Sequence, residues 1–310
     1  MKVLEGIALL LMLVVIGLGL YVIYLVVSPQ EEIDYGNYIA QNPEIAISKG
    51  VQFYPRMRFP EREITYSIES RCSLEKKEEI LEAFKILSSL TRLSFRNSTV
   101  NPRINFLCSE IAPDPEKESH FVAGEGGPTK IINTSNYFVI LESKVSLYRE
   151  DKCETPQIAL HEILHAFGFD HSNNKDSIMF PITGCKQEIE SFVIEEINEL
   201  YEADAAPDIV IESITARQVG RYLSFEANIS NSGLVDINEA TLEVYSDGEL
   251  VKTYELQKIE IGTKRIISVV NLRVGGKAKD LIFKAIPIEP SADYDIRNNE
   301  ARISLPDEPD

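Results

Sequence analysis

The stretch HEILHAFGFDH, from His161 to His171, restricts the fold of this 310-residue chain more than any other feature. It contains three of the chain's four histidines. Residues four apart on an α-helix lie on one face, so His161 and His165 can direct their imidazoles at one point. Gly168 stands where a helix that ends in a sharp turn needs a residue tolerant of positive φ. That turn predicts that His171 returns to the same point as a third imidazole.

Three imidazoles around one point are a ligand set typical of catalytic zinc. Zinc binds histidine nitrogens at about 2.0–2.1 Å, and three protein ligands leave the fourth tetrahedral position open. Glu162 lies one step around the helix, where a carboxylate reaches a zinc-bound water without becoming a ligand. Zinc lowers the pKa of that water toward about 7, and Glu162 takes its proton as general base. The motif predicts peptide-bond hydrolysis, with metal capture without catalysis as an alternative.

The segment around the motif mixes strand and helix patterns. Ser73 is predicted to cap a helix over 74–91, and Thr155, followed by Pro156 at the first helical position, to cap the motif's helix. The stretch from Ser109 to Lys130 is rich in turn residues and predicts irregular structure. Strands are predicted in REITYSIES, LSF and RINFLC, and a strand or hairpin in YFVILESKVSLY. A last helix is predicted in KQEIESFVIEEINELYEA.

An uncharged apolar run of 22 residues lies near the amino terminus, from Gly6 to Val27. As a helix it is long enough to cross a hydrocarbon layer about 30 Å thick, so residues 1–29 are predicted to be a transmembrane anchor. Lys2 precedes the run and acidic residues follow it, which places the amino terminus in the cytoplasm and the rest outside the cell. A cleaved signal peptide is the alternative, but no small-residue cleavage site follows the run. Residues 30–59 are polar without a sustained period and predict a stalk.

The sequence period changes beyond AAPD at 205–208. Short stretches such as YLSFEANIS alternate between apolar and polar residues, and Asp247-Gly248 predicts a tight hairpin turn. Several strands at this spacing, without cysteine or histidine, predict an all-β, immunoglobulin-like sandwich over residues 205–310. The chain therefore divides into an anchor, a stalk, a domain over 60–204 and this sandwich.

Charge and cysteine content restrict the partners and the compartment. The formal net charge of −18 argues against a nucleic-acid partner, because such a surface repels phosphate. Four cysteines in a segment predicted to be outside the cell indicate two disulfides, for which three pairings exist, or else free buried thiols. They are Cys72, Cys108, Cys153 and Cys185.

The zinc motif, together with Met179 in SIMFP, resembles the zinc signature and Met-turn of metzincin proteases. Within that group it is most similar to the matrixins (peptidase M10 type), because HS follows the third histidine and Pro181 comes two residues after Met179. The order of strands and helices over 60–204 is also matrixin-like. The resemblance implies an α+β domain with a twisted mixed sheet and an active-site helix, and it implies that Met179 forms an apolar floor under the zinc.

The resemblance carries further expectations. A matrixin-like sheet makes the strands that end at Cys72 and Cys108 neighbours, which implies a Cys72–Cys108 disulfide; a Cys153–Cys185 disulfide would clamp the zinc site. Acidic residues near 113–118 and 149–154 are candidate calcium ligands, with solvated charge as the alternative. His120 is interpreted as an ordinary loop residue.

The carboxy-terminal region, from PDIVIESITA to YDIRNNEARISL, resembles the CARDB domains of prokaryotic surface proteins. The resemblance implies a cell-surface protein or glycan as a partner. Taken together, the sequence predicts a membrane-anchored, extracellular zinc endopeptidase that acts on protein or peptide substrates. The alternative is a surface adhesion protein that uses the matrixin-like domain as a scaffold with little or no proteolysis.

Overall fold

A computed structural model describes residues 11–22, 32–40, 51–114, 122–288 and 293–304 of the chain. Its helices are α1 (11–22), α2 (Leu74–Leu90), α3 (Gln157–Ala166) and α4 (Ser191–Leu200). Its first seven strands are β1 (Glu32–Ile39), β2 (Met57–Arg58), β3 (Glu63–Ile68), β4 (Ser94–Asn97), β5 (Ile104–Cys108), β6 (Gly124–Asn133) and β7 (Phe138–Leu147). The other seven are β8 (Ile209–Val219), β9 (Tyr222–Asn231), β10 (Ala240–Ser246), β11 (Glu249–Leu256), β12 (Lys264–Arg273), β13 (Asp280–Pro287) and β14 (Glu300–Ser304).

The first domain is built on a six-stranded sheet in the order β2-β7-β5-β3-β4, with β6 paired to β7. All its strand pairs are parallel except β6–β7, which is antiparallel. This confirms the predicted mixed sheet. Helices α2 and α3 share one apolar core with the sheet, in which Ile80, Leu87, Ile104 and Ile163 are fully buried. Ser73 caps α2 as predicted, since its Oγ accepts from the Lys76 N–H.

Both predicted disulfides are confirmed. Cys72 bonds to Cys108 with a Cα–Cα distance of 5.0 Å, and Cys153 bonds to Cys185 with a Cα–Cα distance of 5.1 Å. The first joins the residues that follow β3 to the end of β5. The second joins the approach to α3 to the loop after Met179, so it closes the segment that contains the histidine motif.

The second domain is a sandwich of two four-stranded sheets, in the orders β1-β8-β9-β12 and β11-β10-β13-β14. Strand pairing within both sheets is antiparallel. The alternating apolar residues predicted from the sequence face inward, and Ile211, Leu223, Leu242, Leu281 and Phe283 are completely buried between the sheets.

The prediction of a stalk over 30–59 was wrong for both of its described parts. Residues 51–59 belong to the first domain, because Met57 and Phe59 are buried in its core. The other part is residues 32–39. This segment is β1, which pairs with β8 of the sandwich from Glu32↔Val219 to Ile39↔Ser213. The alternation of inward-facing Ile33 and Tyr35 is interrupted after two residues by a bulge at Gly36, whose φ is +72°. An alternation of only two apolar residues is too short to be recognised as a strand pattern in the sequence. The first domain is therefore inserted between two neighbouring strands of the sandwich.

A small third apolar cluster lies between the domains. Tyr137 and Val139 of the first domain pack with Leu234 of the sandwich, and all three are buried. At the same junction Gly262 approaches β6 so closely that an added Cβ would stand 2.3 Å from Ile132 Cγ2. Because Gly262 also has a φ of +68°, the junction requires glycine at this position.

Two other elements differ from the sequence predictions. The stretch from Ser109 to Lys130, predicted to be irregular, contains β6, because pairing with β7 along its whole length overrides the low strand propensity of GEGGP. The last helix, predicted over 186–203, begins only at Ser191. The residues before it are extended, because Glu188 forms a parallel β-bridge with Ser177 and its carbonyl accepts from Ile178 N.

Within the described ranges, no helix is long and apolar enough to cross a membrane. Helix α1 covers residues 11–22 of the predicted anchor. The remaining parts of that prediction, 1–10 and 23–29, lie outside the described residues.

Candidate metal centre

Helix α3 places the first two histidines of the motif inside the domain. All ten of its residues are buried, because the helix packs against the sheet, α2 and the loop that contains Met179. His161 is 5% exposed and His165 is 7% exposed, so neither imidazole is hydrated as a surface residue would be. Burial lowers the pKa of His161 to about 4 and lowers that of His165 as well, which keeps both rings neutral.

The structure brings the three predicted imidazoles together. The Nε2 atom of His165 lies 3.0 Å from His161 Nε2 and 3.2 Å from His171 Nε2. One nitrogen from each ring lies within 4.8 Å of the others, and this is the only group of at least three such ligands that the described part of the chain forms. His171 is exposed, so the cluster opens to solvent on its side.

Backbone carbonyls fix the orientation of the two buried rings. His161 Nδ1 lies 2.6 Å from Ile178 O, and His165 Nδ1 lies 2.7 Å from Phe169 O. A carbonyl oxygen only accepts, so each Nδ1 donates a proton and the neutral ring keeps a lone pair on Nε2. Both Nε2 lone pairs therefore point into the cluster.

This arrangement fits a bound cation. Two nitrogen ligands at about 2.0–2.1 Å from a tetrahedral ion are about 3.3–3.4 Å apart. The observed separations of 3.0 and 3.2 Å are close to that value. Without a proton or an ion, lone pairs at these distances repel each other, and burial of His161 and His165 disfavours the proton. The donor set and its spacing thus suit zinc.

The turn after α3 forms as the sequence predicts. Gly168 has a φ of +88°, and its N–H donates to His165 O at 2.8 Å. The segment that precedes β2 holds this turn, because Phe53 N donates to Gly168 O and Asp170 N donates to Val51 O. The Phe53 ring also stacks on His165 with centroids 5.9 Å apart.

Met179 and Pro181 lie in the loop that follows His171. Met179 is fully buried in the domain core, and its carbonyl accepts from Ser172 N at 2.8 Å. That hydrogen bond ties the loop to the residue after His171, while Ile178 O holds His161 as described above. Pro181 is exposed.

Glu162 lies beside β6, which passes unusually close to α3. A Cβ on Gly126 would stand 2.1 Å from Glu162 O, and a Cβ on Gly124 would stand 2.6 Å from Glu162 Cγ. The glycines of GEGG are therefore needed for this approach. Glu162 is 6% exposed, and burial, assisted by the charge of Glu125, raises its pKa to about 8.

The predicted start of α3 was wrong in two respects. Pro156, predicted at the first helical position, is the N-cap, and the helix begins at Gln157. Thr155 does not cap the helix, since its Oγ1 instead accepts from the Gln157 side chain at 2.6 Å. Asp151 takes that role: its Oδ2 accepts from Ile158 N at 2.9 Å, and its Oδ1 accepts from Cys153 N at 2.9 Å. Its position five residues before Pro156 gives no recognisable cap pattern in the sequence.

The calcium prediction gains no support from the described residues. In the 149–154 group, both carboxylate oxygens of Asp151 accept hydrogen bonds from backbone N–H groups. Of the 113–118 group only 113 and 114 are described, and 115–121, which include His120, lie outside the described residues.

The sequence did not identify four contributors to the site: the carbonyls of Ile178 and Phe169, the Phe53 ring and the β6 strand. Carbonyl positions have no side-chain signature, and Phe53 reaches His165 only through tertiary contacts. The closely spaced glycines of GEGG were the one available signal, since such glycines often mark a close approach of backbone.

Comparisons with known proteins agree with these two domains. Residues 58–202 match the matrixin (Peptidase_M10) family model, and residues 206–285 match the CARDB family model. A search of curated proteins finds no match.

Two similar solved structures are archaeal. A domain of a cell surface protein from Methanosarcina acetivorans is 19% identical, with 33% of this chain and 95% of that chain covered and a TM-score of 0.26. A CARDB domain from Pyrococcus furiosus, in complex with di-metal ions, is 15% identical, with 32% and 87% covered and a TM-score of 0.27. On the family matches, residues 58–202 form a matrixin domain and residues 206–285 form a CARDB domain.

Proposed function

We propose that this chain is a zinc-dependent endopeptidase, anchored in a membrane by its amino-terminal apolar segment, with both folded domains outside the cell. The observation that carries the proposal is the convergence of His161, His165 and His171 inside a matrixin domain. Their Nε2 atoms lie at separations that suit one ion, and two of the rings are held by carbonyls.

The chemistry divides between the metal and Glu162. His161, His165 and His171 would hold the zinc, which when bound would lower the pKa of a water molecule toward about 7 and polarise a carbonyl. The Glu162 carboxylate accepts the proton of the attacking water and passes it to the amine that leaves, so one carboxyl serves as base and then as acid. Its burial favours the protonated form that must exist between the two transfers.

The sheet edge supplies a place for the substrate. Within the described sheet β6 pairs with β7 alone, so its outer edge remains available to an extended peptide. The same strand carries Gly124 and Gly126 past Glu162. A peptide that adds to this edge would run alongside the general base, and we therefore propose extended or unfolded protein segments as the substrate class.

The anchor is supported by the apolar run from Gly6 to Val27 and by α1 within it. The large apolar side chains of α1 are all exposed, between 47% and 67%. A helix with apolar side chains on every face is typical of a membrane segment. The bias of charge across the run favours an external position for the folded domains.

Cleavage of a reduced, alkylated protein by the full chain tests the enzymatic proposal. Zinc content and cleavage rate should be compared for the wild type, Glu162→Ala and Glu82→Ala, in which Glu82 is a carboxylate on α2 paired with Lys85. We expect all three to hold one zinc and Glu162→Ala alone to lose about 10²–10⁴-fold in rate. A zinc-loaded wild type that cleaves nothing would instead favour the adhesion scaffold.

A further inference from the structure

We infer that one end of the sandwich binds the anionic surface of the membrane into which the chain is anchored. This surface, the basic rim, consists of Arg221, Tyr222, Arg273 and Lys277, which line one pocket together with Ile33 at the start of β1. The inference rests on the proposed anchor, and it assigns a partner to a part of the molecule that the proteolytic chemistry does not use.

The basic rim is assembled from two loops at the same end of one sheet. Arg221 lies in the turn between β8 and β9, and its carbonyl accepts from Val274 N at 2.9 Å. Tyr222, the first residue of β9, is the Cα partner of Arg273, the last residue of β12. All four rim side chains are exposed, including 49% of Tyr222.

A buried hydrogen-bond network fixes these loops in place. Gln218 is completely buried; its Nε2 donates to Gly220 O at 2.7 Å and to Gly276 O at 2.5 Å. Its Oε1 accepts from the Tyr35 hydroxyl at 2.7 Å and from Ala278 N at 3.3 Å. Because Tyr35 belongs to β1, the strand that follows the anchor is bonded to the same network that holds the rim.

The charges of the basic rim contrast with a chain whose net charge is −18. The inference rests on the charges of Arg221 and Arg273 and does not count that of Lys277. Among the described acids at this end of the sandwich, Glu32 pairs with Arg217 at 2.8 Å and Asp280 pairs with Arg302 at 3.6 Å. Asp34 and Asp247 accept from the backbone N–H groups of Gly36 and Lys279, each at 2.8 Å. Arg and Lys side chains in such a setting attract phosphate groups, and guanidinium binds them in bidentate geometry.

The covalent connection brings this end to the bilayer. Four residues separate Val27, the end of the apolar run, from Glu32, the first residue of β1. Even a fully extended chain covers at most about 3.6 Å per residue, so Glu32 stands within about 18 Å of the end of the run. The rim shares a pocket with the next residue, Ile33, and therefore lies at the membrane surface rather than at the distal end of the molecule.

Fluorescence of the full chain in vesicles tests this inference, since the protein contains no tryptophan. A Tyr222→Trp protein reports the rim. Tyr294→Trp is the matched control, because Tyr294 is 47% exposed and its N–H donates to Pro207 O beside the opposite end of β8. Both are reconstituted in vesicles of phosphatidylcholine alone and in an equimolar mixture with phosphatidylglycerol, each containing lipids brominated near the headgroup.

We expect bromine quenching of the Tyr222→Trp protein only in the anionic vesicles, and none for Tyr294→Trp in either. Adding Arg221→Gln and Arg273→Gln should lower the fraction of docked rim by roughly fivefold for each residue, since each basic residue near an anionic surface contributes about that factor. High salt should have the same effect.

The outcomes separate the two proposals. A chain that floats with vesicles but shows no charge-dependent quenching keeps the anchor and overturns the rim. Quenching that is equal in neutral vesicles, or unchanged by the arginine substitutions, also overturns it, because the tether alone would then explain the contact. A chain that floats with neither kind of vesicle overturns the rim together with the anchor.

Discussion

The histidine motif of the matrixin domain and two loop amides of the sandwich are buried in opposite ways. In the matrixin domain His161, Glu162 and His165 are all more than 90% buried, with imidazole lone pairs facing one another and a carboxyl whose pKa burial raises. In the sandwich the buried Gln218 and Asn231 use both ends of their amides to bind loop backbone.

This difference teaches how function and stability are distributed in the chain. The completed hydrogen bonds of Gln218 and Asn231 stabilise loops of the sandwich, whereas His161, Glu162 and His165 are kept in an unfavourable environment by the rest of their domain. Two disulfides and the buried core of α3 offset that cost. The sandwich contains no cysteine and depends on its apolar faces and loop amides.

The largest expected effect concerns the clamp around the metal centre. Replacing Cys153 and Cys185 by serine should lower the free energy of unfolding of the matrixin domain by about 3–4 kcal/mol, since the disulfide closes a segment of 32 residues. The sandwich, which has no disulfide, should keep its denaturation midpoint. Equal shifts of two transitions in urea would contradict the separation of the domains.

A smaller effect is expected where β6 passes α3. Gly126→Ala should lower stability by about 2–3 kcal/mol and reduce cleavage, because the new methyl meets the Glu162 carbonyl. Gly127→Ala is the matched control, since a methyl group added there would have no other atom within 4 Å. If the two variants behave alike in denaturation and in cleavage, the close contact between β6 and α3 does not exist as described.

Replacing a buried polar side chain should have opposite consequences in the two domains. Gln218→Ala should destabilise the sandwich by about 2 kcal/mol, because the Ala278 N–H and the Gly276 carbonyl lose a buried partner. Cleavage should be unchanged. Glu162→Gln should remove cleavage without lowering stability. A Gln218→Ala protein of unaltered stability would contradict the role assigned to its network.

The smallest effect is a dependence of stability on pH in the metal-free protein. The pKa of Glu162 is about 8 in the folded protein and 4.5, its ordinary value, in the unfolded chain. Between these two pH values the folded state binds more protons than the unfolded state, so the free energy of unfolding falls as pH rises. His161 acts in the opposite direction, but only between about pH 4 and 6.5.

Between pH 7 and 8 the Glu162 contribution therefore dominates, and stability should fall by about 1 kcal/mol. Denaturation of chelator-treated wild type and Glu162→Gln checks this, since the variant should show a flatter profile. A wild type that gains stability over this interval would show that the carboxyl is not buried as described.

The sequence predicted those parts of the molecule that depend on local pattern. The spacing of HEILHAFGFDH defined the helix, its turn and the three imidazoles, and alternation in YLSFEANIS defined a strand of the sandwich. The parts it did not predict depend on partners distant in the chain. Strand β1 forms because β8 offers it an edge, β6 because β7 does, and Asp151 caps α3 from outside the usual window.

The most direct test of the central claim is the zinc content of the full chain and of its single histidine variants. The wild type and His120→Ala, which alters the one histidine outside the motif, should each retain one zinc after dialysis against a weak chelator. His161→Ala, His165→Ala and His171→Ala should each lose it. Retention of a full equivalent by any of these three, or loss by His120→Ala, would contradict a metal centre made of these imidazoles.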